Sequence, residues 1–112
     1  MDRRTFALML GIGAAAVMAP SLVRAEDHLA EAISHTKQAI DHGNMGHADI
    51  LVTHAKAALE HAKAAEKEKD NTHTKAGIAH LNAAIDTGSK NDAKAATGHA
   101  QEALTHLEAA AK

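Results

Sequence analysis

The chain has 112 residues and a formal net charge of −2, enough for one small domain. Its only aromatic is Phe6 and it holds no cysteine, which excludes a base-stacking nucleic-acid platform and a disulfide framework.

Residues 1–25 read as a cleaved export signal. Arg3 and Arg4 give a positive start, and Phe6 to Ala19 is an apolar run too short to cross a bilayer comfortably. Val23-Arg24-Ala25 would precede the cut, making Glu26 the mature N-terminus. Arg3-Arg4-Thr5-Phe6-Ala7-Leu8 fits a twin-arginine signal, beside the ordinary secretory route. Residues 26–112 are then an exported, periplasmic domain with no membrane contact after cleavage. They carry nine lysines and no arginine against thirteen acidic residues, a balance that does not suit a nucleic-acid partner.

Four helices follow in order. The first spans about residues 27–42, capped by Asp27 and ended by Gly43, with Leu29, Ala32, Ile33, Ala39 and Ile40 as its apolar stripe. A short loop, Gly43-Asn44-Met45-Gly46, turns the chain back into a second helix over about residues 47–66, with Leu51, Ala55, Ala58, Leu59, Ala62 and Ala65 facing inward. The charged segment 67–71 is the midpoint connection. Asn71 or Thr72 caps the third helix, which buries Ile78, Leu81, Ala84 and Ile85 and stops at Gly88. The fourth runs over about residues 92–111 with Ala96, Ala100, Ala103, Leu104 and Leu107 inward. Gly77 and Gly98 sit inside helices, where each costs about 1 kcal/mol against alanine.

Shifting the chain by 45 residues superposes its halves: Ile33 on Ile78, Ile40 on Ile85, Gly43 on Gly88, Leu59 on Leu104. The fold expected is all-α, an antiparallel up-down-up-down four-helix bundle made of two duplicated helical hairpins.

All ten histidines fall in series of seven: His28, His35 and His42; His47, His54 and His61; His73 and His80; His99 and His106. Seven residues is two helical turns, so each series is a stripe on one face. Each stripe lies roughly 100° from its helix's apolar centre, always in the same rotational sense, and so on the shoulder where helices meet. Neighbours running antiparallel bring shoulders together in pairs. Either helices one and two share a seam and three and four another, or two joins three and four joins one; the sequence leaves both open.

Histidines seven apart are roughly 10 Å apart along one helix, whereas a metal–imidazole bond is about 2 Å. A shared ion therefore needs a rung between helices. The first arrangement gives His28–His61, His35–His54, His42–His47, His73–His106 and His80–His99; the second gives His61–His73, His54–His80, His35–His99 and His28–His106. Glu31 and Glu102 share faces with histidines but read as solvated surface charge. Thr87 and Asp92 stand where the first half has His42 and His47, so the second hairpin lacks one rung.

Imidazole suits copper(II), nickel(II) and zinc(II), with affinity rising toward copper. The function expected is periplasmic buffering or sequestration of divalent metals, copper(II) favoured, by a monomer. An enzyme is not expected. Di-iron bundles use Glu-x-x-His with inward glutamates, and here the order is His-x-x-Glu on a shoulder. The alternative is a pH-responsive helical interaction protein, its histidines charging together.

The segments HTKQAIDHGNMGH, THAKAALEHAKAA, NTHTKAGIAHLNAAID and GHAQEALTHLEAA carry a resemblance over nearly all of residues 26–112. The chain resembles the small metal-binding protein family of nitrifying bacteria, periplasmic histidine-rich four-helix bundles built on seven-residue repeats. The resemblance implies binding of several divalent metals, copper foremost, by the ten histidines, and a role in metal buffering or tolerance; the several rungs imply several ions per chain. Thr87 and Asp92 depart from the family's pattern, so the second hairpin lacks one of its histidine pairs.

Overall fold

The structure, a computed structural model, describes residues 24–112; the export-signal reading lies outside the described residues apart from Arg24 and Ala25. Four helices form: α1 (Ala25–Asn44), α2 (Ala48–Glu68), α3 (Thr72–Ser89) and α4 (Ala93–Ala111). Among the described residues no helix is long and apolar enough to cross a membrane.

Each end has a local cause. The Asp27 carboxylate accepts the Arg24 N–H at 3.3 Å, so it caps α1 from inside the first turn rather than from the cap position. The Asn71 side chain caps α3 by accepting the N–H of His73 at 2.8 Å and of Thr74 at 3.4 Å. Asp92 caps α4 by accepting the N–H of Ala95 at 3.1 Å. α1 and α3 do not stop at Gly43 and Gly88 as expected. They run one residue further, and the turns place the left-handed residue at Gly46 (φ 81°) and Asn91 (φ 65°), which are 45 apart. Gly and Asn are the residues that adopt this conformation at least cost. The turn bonds also repeat: His47 N–H to His42 O at 2.9 Å, and Asp92 N–H to Thr87 O at 3.0 Å.

The two end glycines have another task. A Cβ on Gly43 would collide with Thr97 Oγ1 and stand 2.7 Å from Leu51 Cδ1; one on Gly88 would stand 2.6 Å from Val52 Cγ2. Positions 97 and 52 are themselves equivalent under the 45-residue shift. The end of α1 therefore lies on the start of α4, as the end of α3 lies on the start of α2. The duplication is expressed in packing as well as in sequence.

The core is an alanine core. Ala32, Ala39, Ala55, Ala58, Ala62, Ala84, Ala96, Ala100 and Ala103 are fully enclosed, and Leu51, Leu81 and Leu107 are its largest fully buried apolar side chains. Small side chains let the helices approach closely. Ile33, Ile40, Ile78 and Ile85, expected inward, are half-buried and close the core from its edges; Leu104, also expected inward, is half-buried. Thr36, Thr74 and Thr97 are buried instead. The hydroxyls of Thr36 and Thr97 donate to the carbonyls of Ala32 and Ala93 at 2.7 Å, which removes the cost of burying them.

Gly77 packs under Leu107, whose Cδ2 would lie 2.8 Å from an added Cβ, whereas Gly98 has open space around it. Gly98→Ala is therefore expected to stabilise the protein by about 1 kcal/mol, and Gly43→Ala to destabilise it by about 1–3 kcal/mol despite better helix propensity. Paired thermal melts check the opposite signs; equal shifts would show that the close approach at Gly43 is not tight.

Candidate metal centre

The structure chooses the first seam arrangement: α1 faces α2, and α3 faces α4, along their histidine shoulders. In the first hairpin the ring centroids of His28–His61 are 5.5 Å apart, of His35–His54 5.8 Å and of His42–His47 5.9 Å. In the second, His73–His106 stand at 5.6 Å and His80–His99 at 6.3 Å. Partner numbers rise on one helix as they fall on the other, so the two helices of each hairpin are antiparallel. The other proposed pairing, α2 with α3 and α4 with α1, is not the one formed.

The rungs are not isolated. His35 also lies 5.8 Å from His61, His42 lies 5.5 Å from His54, and His80 lies 5.5 Å from His106, with rings within 10° of parallel. The imidazoles interdigitate like the teeth of a zipper. One run passes through His28, His61, His35, His54, His42 and His47, the other through His73, His106, His80 and His99. The sequence could not show this, because heptad spacing fixes a residue's height on its own helix but not the axial offset between two helices.

Eight of the ten histidines are half-buried; His47 and His73 are exposed. Exposure does not detach His73, whose Nδ1 is 3.3 Å from His106 Nδ1, the separation also found between His28 Nδ1 and His61 Nδ1. In each such pair one nitrogen must carry the proton and the other accept it. Two nitrogens bound at about 2 Å to one tetrahedral ion would likewise stand about 3.3 Å apart. The Nδ1 atoms of His35, His42 and His99 are buried and have no hydrogen-bond partner among the described residues.

Two glutamates come closer to this chemistry than their exposed positions suggested. Glu31, His35 and His61 can bring ligand atoms within 4.8 Å of one another, and so can His80, His99 and Glu102. Glu102 Oε1 lies 3.1 Å from His80 Nδ1 and 3.8 Å from His99 Nδ1. In each cluster the glutamate and one histidine come from one helix, and the other histidine comes from its hairpin partner.

At the incomplete end of the second hairpin, both substituted side chains have local partners. Thr87 donates its hydroxyl to Ala83 O at 2.9 Å, and Asp92 is the α4 cap. His47, at the equivalent cap of α2, makes no side-chain cap bond. One end offers an imidazole rung, the other a better-capped helix.

Burial, and then repulsion from His35 and His42 when these are charged, push His54 below the ordinary histidine value of 6.5. A depressed folded-state value means that the unfolded chain takes the proton first as pH falls. Stability is then full above about pH 6.5 and declines as pH falls through it toward the lower folded value. The urea midpoint of the metal-free protein should drop between about pH 7.5 and about pH 5.5, and His54→Gln should flatten that drop. An unchanged pH slope in the variant would reject this assignment.

The chain is thus a small helical bundle whose distinctive chemistry is paired imidazoles at two helix seams, a donor set of metal-binding type. It belongs to the small metal-binding protein family, whose model matches residues 3–110. That is a metal-binding family and not a family of enzymes. A search of curated proteins found no match.

Proposed function

We propose that the protein binds and buffers divalent transition metals in the periplasm, copper(II) preferred over nickel(II) and zinc(II), as a monomer that sequesters them and supports metal tolerance. The observation that carries this reading is the recurring pair of imidazole nitrogens at 3.3 Å across a helix seam, present in both hairpins. Three further buried nitrogens with no hydrogen-bond partner among the described residues, on His35, His42 and His99, favour a cationic guest, since a lone pair left unbonded in a low-dielectric seam costs about 1–3 kcal/mol. All ten histidines, His28 to His106, serve as donors. Ligand type supports the metal preference: neutral imidazole without thiolate suits borderline ions, and the affinity order rises to copper. The periplasmic location rests on residues 1–25 read as an export signal.

Calorimetric titration of the purified protein with copper(II) tests the reading. Uptake of several ions is expected near neutral pH, weakening below about pH 6 as protons compete for the same nitrogens. Absence of uptake at micromolar copper would reject it.

A further inference from the structure

We propose that successive ions compete for shared imidazoles, so that neighbouring sites on a seam are mutually exclusive, and that Glu31 and Glu102 hold the two hairpins in different registers. This rests on the metal-binding reading above and says how the site fills. A neutral imidazole carries a proton on one nitrogen and a lone pair on the other, so it serves one ion at a time. Each interior histidine of the zipper nonetheless faces two partners. His61 faces His28 and His35; His35 faces His61 and His54; His54 faces His35 and His42. An ion on His35 and His61 therefore dismantles two rungs, His28–His61 and His35–His54.

The carboxylates decide which register is preferred. Glu31 completes a three-donor cluster with His35 and His61, which is the interleaved pair. Once that cluster fills, His28 has no partner left, and His54 and His47 compete for His42, so only one further ion fits. Glu102 completes its cluster with His80 and His99, which is a rung, and so leaves His73–His106 intact. The 45-residue counterparts of Glu31 and Glu102 are Ala76 and Ala57, so neither hairpin holds both carboxylates. The first hairpin thus holds one ion fewer at modest metal than it has rungs, and reaches its full number only when excess metal displaces Glu31. The second fills its rungs directly. A duplicated scaffold gives two filling modes, and an ion in the first hairpin can step along the seam while keeping one ligand.

Zinc(II), which is redox-silent, can be followed on the purified protein by nitrogen-15 NMR of the imidazoles. At low zinc, His35 and His61 should be engaged while His28 stays free; more zinc should then bring His28 into partnership with His61. In Glu31→Gln, His28 and His61 should engage together from the first additions. In Glu102→Gln the filling order should be unchanged, since the His80–His99 rung remains, and only the affinity should fall. The proposal is overturned if His28, His35, His54 and His61 respond together in the unaltered protein and Glu31→Gln leaves their order unchanged. Zinc that perturbs no imidazole at all would instead overturn the metal-binding reading beneath it.

Discussion

Leu81→Ala should leave the metal-free protein largely unfolded at room temperature, and zinc should restore much of its helix. Leu81 is one of three leucines with no exposed surface in a core filled mainly by alanine. Truncating a buried leucine costs about 2–5 kcal/mol, because both the transfer energy and the contacts around the new cavity are lost. Cavity collapse offers little relief here, since a core filled mainly by alanine has few side chains that can swing inward. A core of this size supplies only about 3–5 kcal/mol in total, so the substitution removes most of it. An ion that bridges two helices binds the folded chain preferentially. At a hundredfold excess over its dissociation constant it adds about 2.7 kcal/mol, less whatever the histidines of the unfolded chain bind. Far-UV circular dichroism with and without zinc reads both halves of the expectation. Met45→Ala, in an exposed turn position, is the control and should change neither. A Leu81→Ala protein with the unaltered urea midpoint would show that stability lies elsewhere than in these leucines.

Much of this architecture is legible in the sequence because two periodicities coincide in it. The 3.6-residue apolar pattern marks four helices, and the 45-residue shift marks a duplicated hairpin; helix ends fall within about two residues of expectation, the ordinary scatter of cap positions. The shoulder position of the histidines follows from the angle between the two stripes. What stays hidden depends on relations between helices. Handedness decides which shoulders meet, and a single helix does not encode it. Axial offset decides whether imidazoles stack as separate rungs or as a zipper, and the turns at residues 45–47 and 90–92 set it. Thr36, Thr74 and Thr97 read as polar, whereas Thr36 and Thr97 meet their hydrogen-bond need inside their own helices. Glu31 and Glu102 read as surface charge, and by exposure they are; only the arrival of a histidine from the partner helix gives each a second role.

His61→Ala and His47→Asp should separate the middle of the seam from its end. His61 faces His28 with Nδ1 atoms 3.3 Å apart, stacks on His35, and belongs to the cluster with Glu31. Its loss deprives two imidazoles and a carboxylate of a common partner, and metal affinity in the first hairpin should fall roughly tenfold or more, the equivalent of about 1.4 kcal/mol. Stability without metal should change little, because the ring is half-buried at the seam and not in the core. His47 is different in each respect. It is exposed, it faces only His42, and it occupies the cap of α2 without capping it. Its counterpart Asp92 shows that a carboxylate fits there, accepting the Ala95 N–H at 3.1 Å. His47→Asp should therefore gain a cap and a favourable charge at the helix start, about 1 kcal/mol, and raise the melting temperature by roughly 4–8 °C. Metal uptake should barely move, since in the interleaved register His54 can take His42 in place of His47. Thermal melts and zinc calorimetry on the two variants give four numbers whose pattern is fixed in advance. Should His47→Asp lose as much zinc affinity as His61→Ala, then end and middle would be equivalent, every rung would act alone, and the shared imidazoles would have no consequence for how the protein fills.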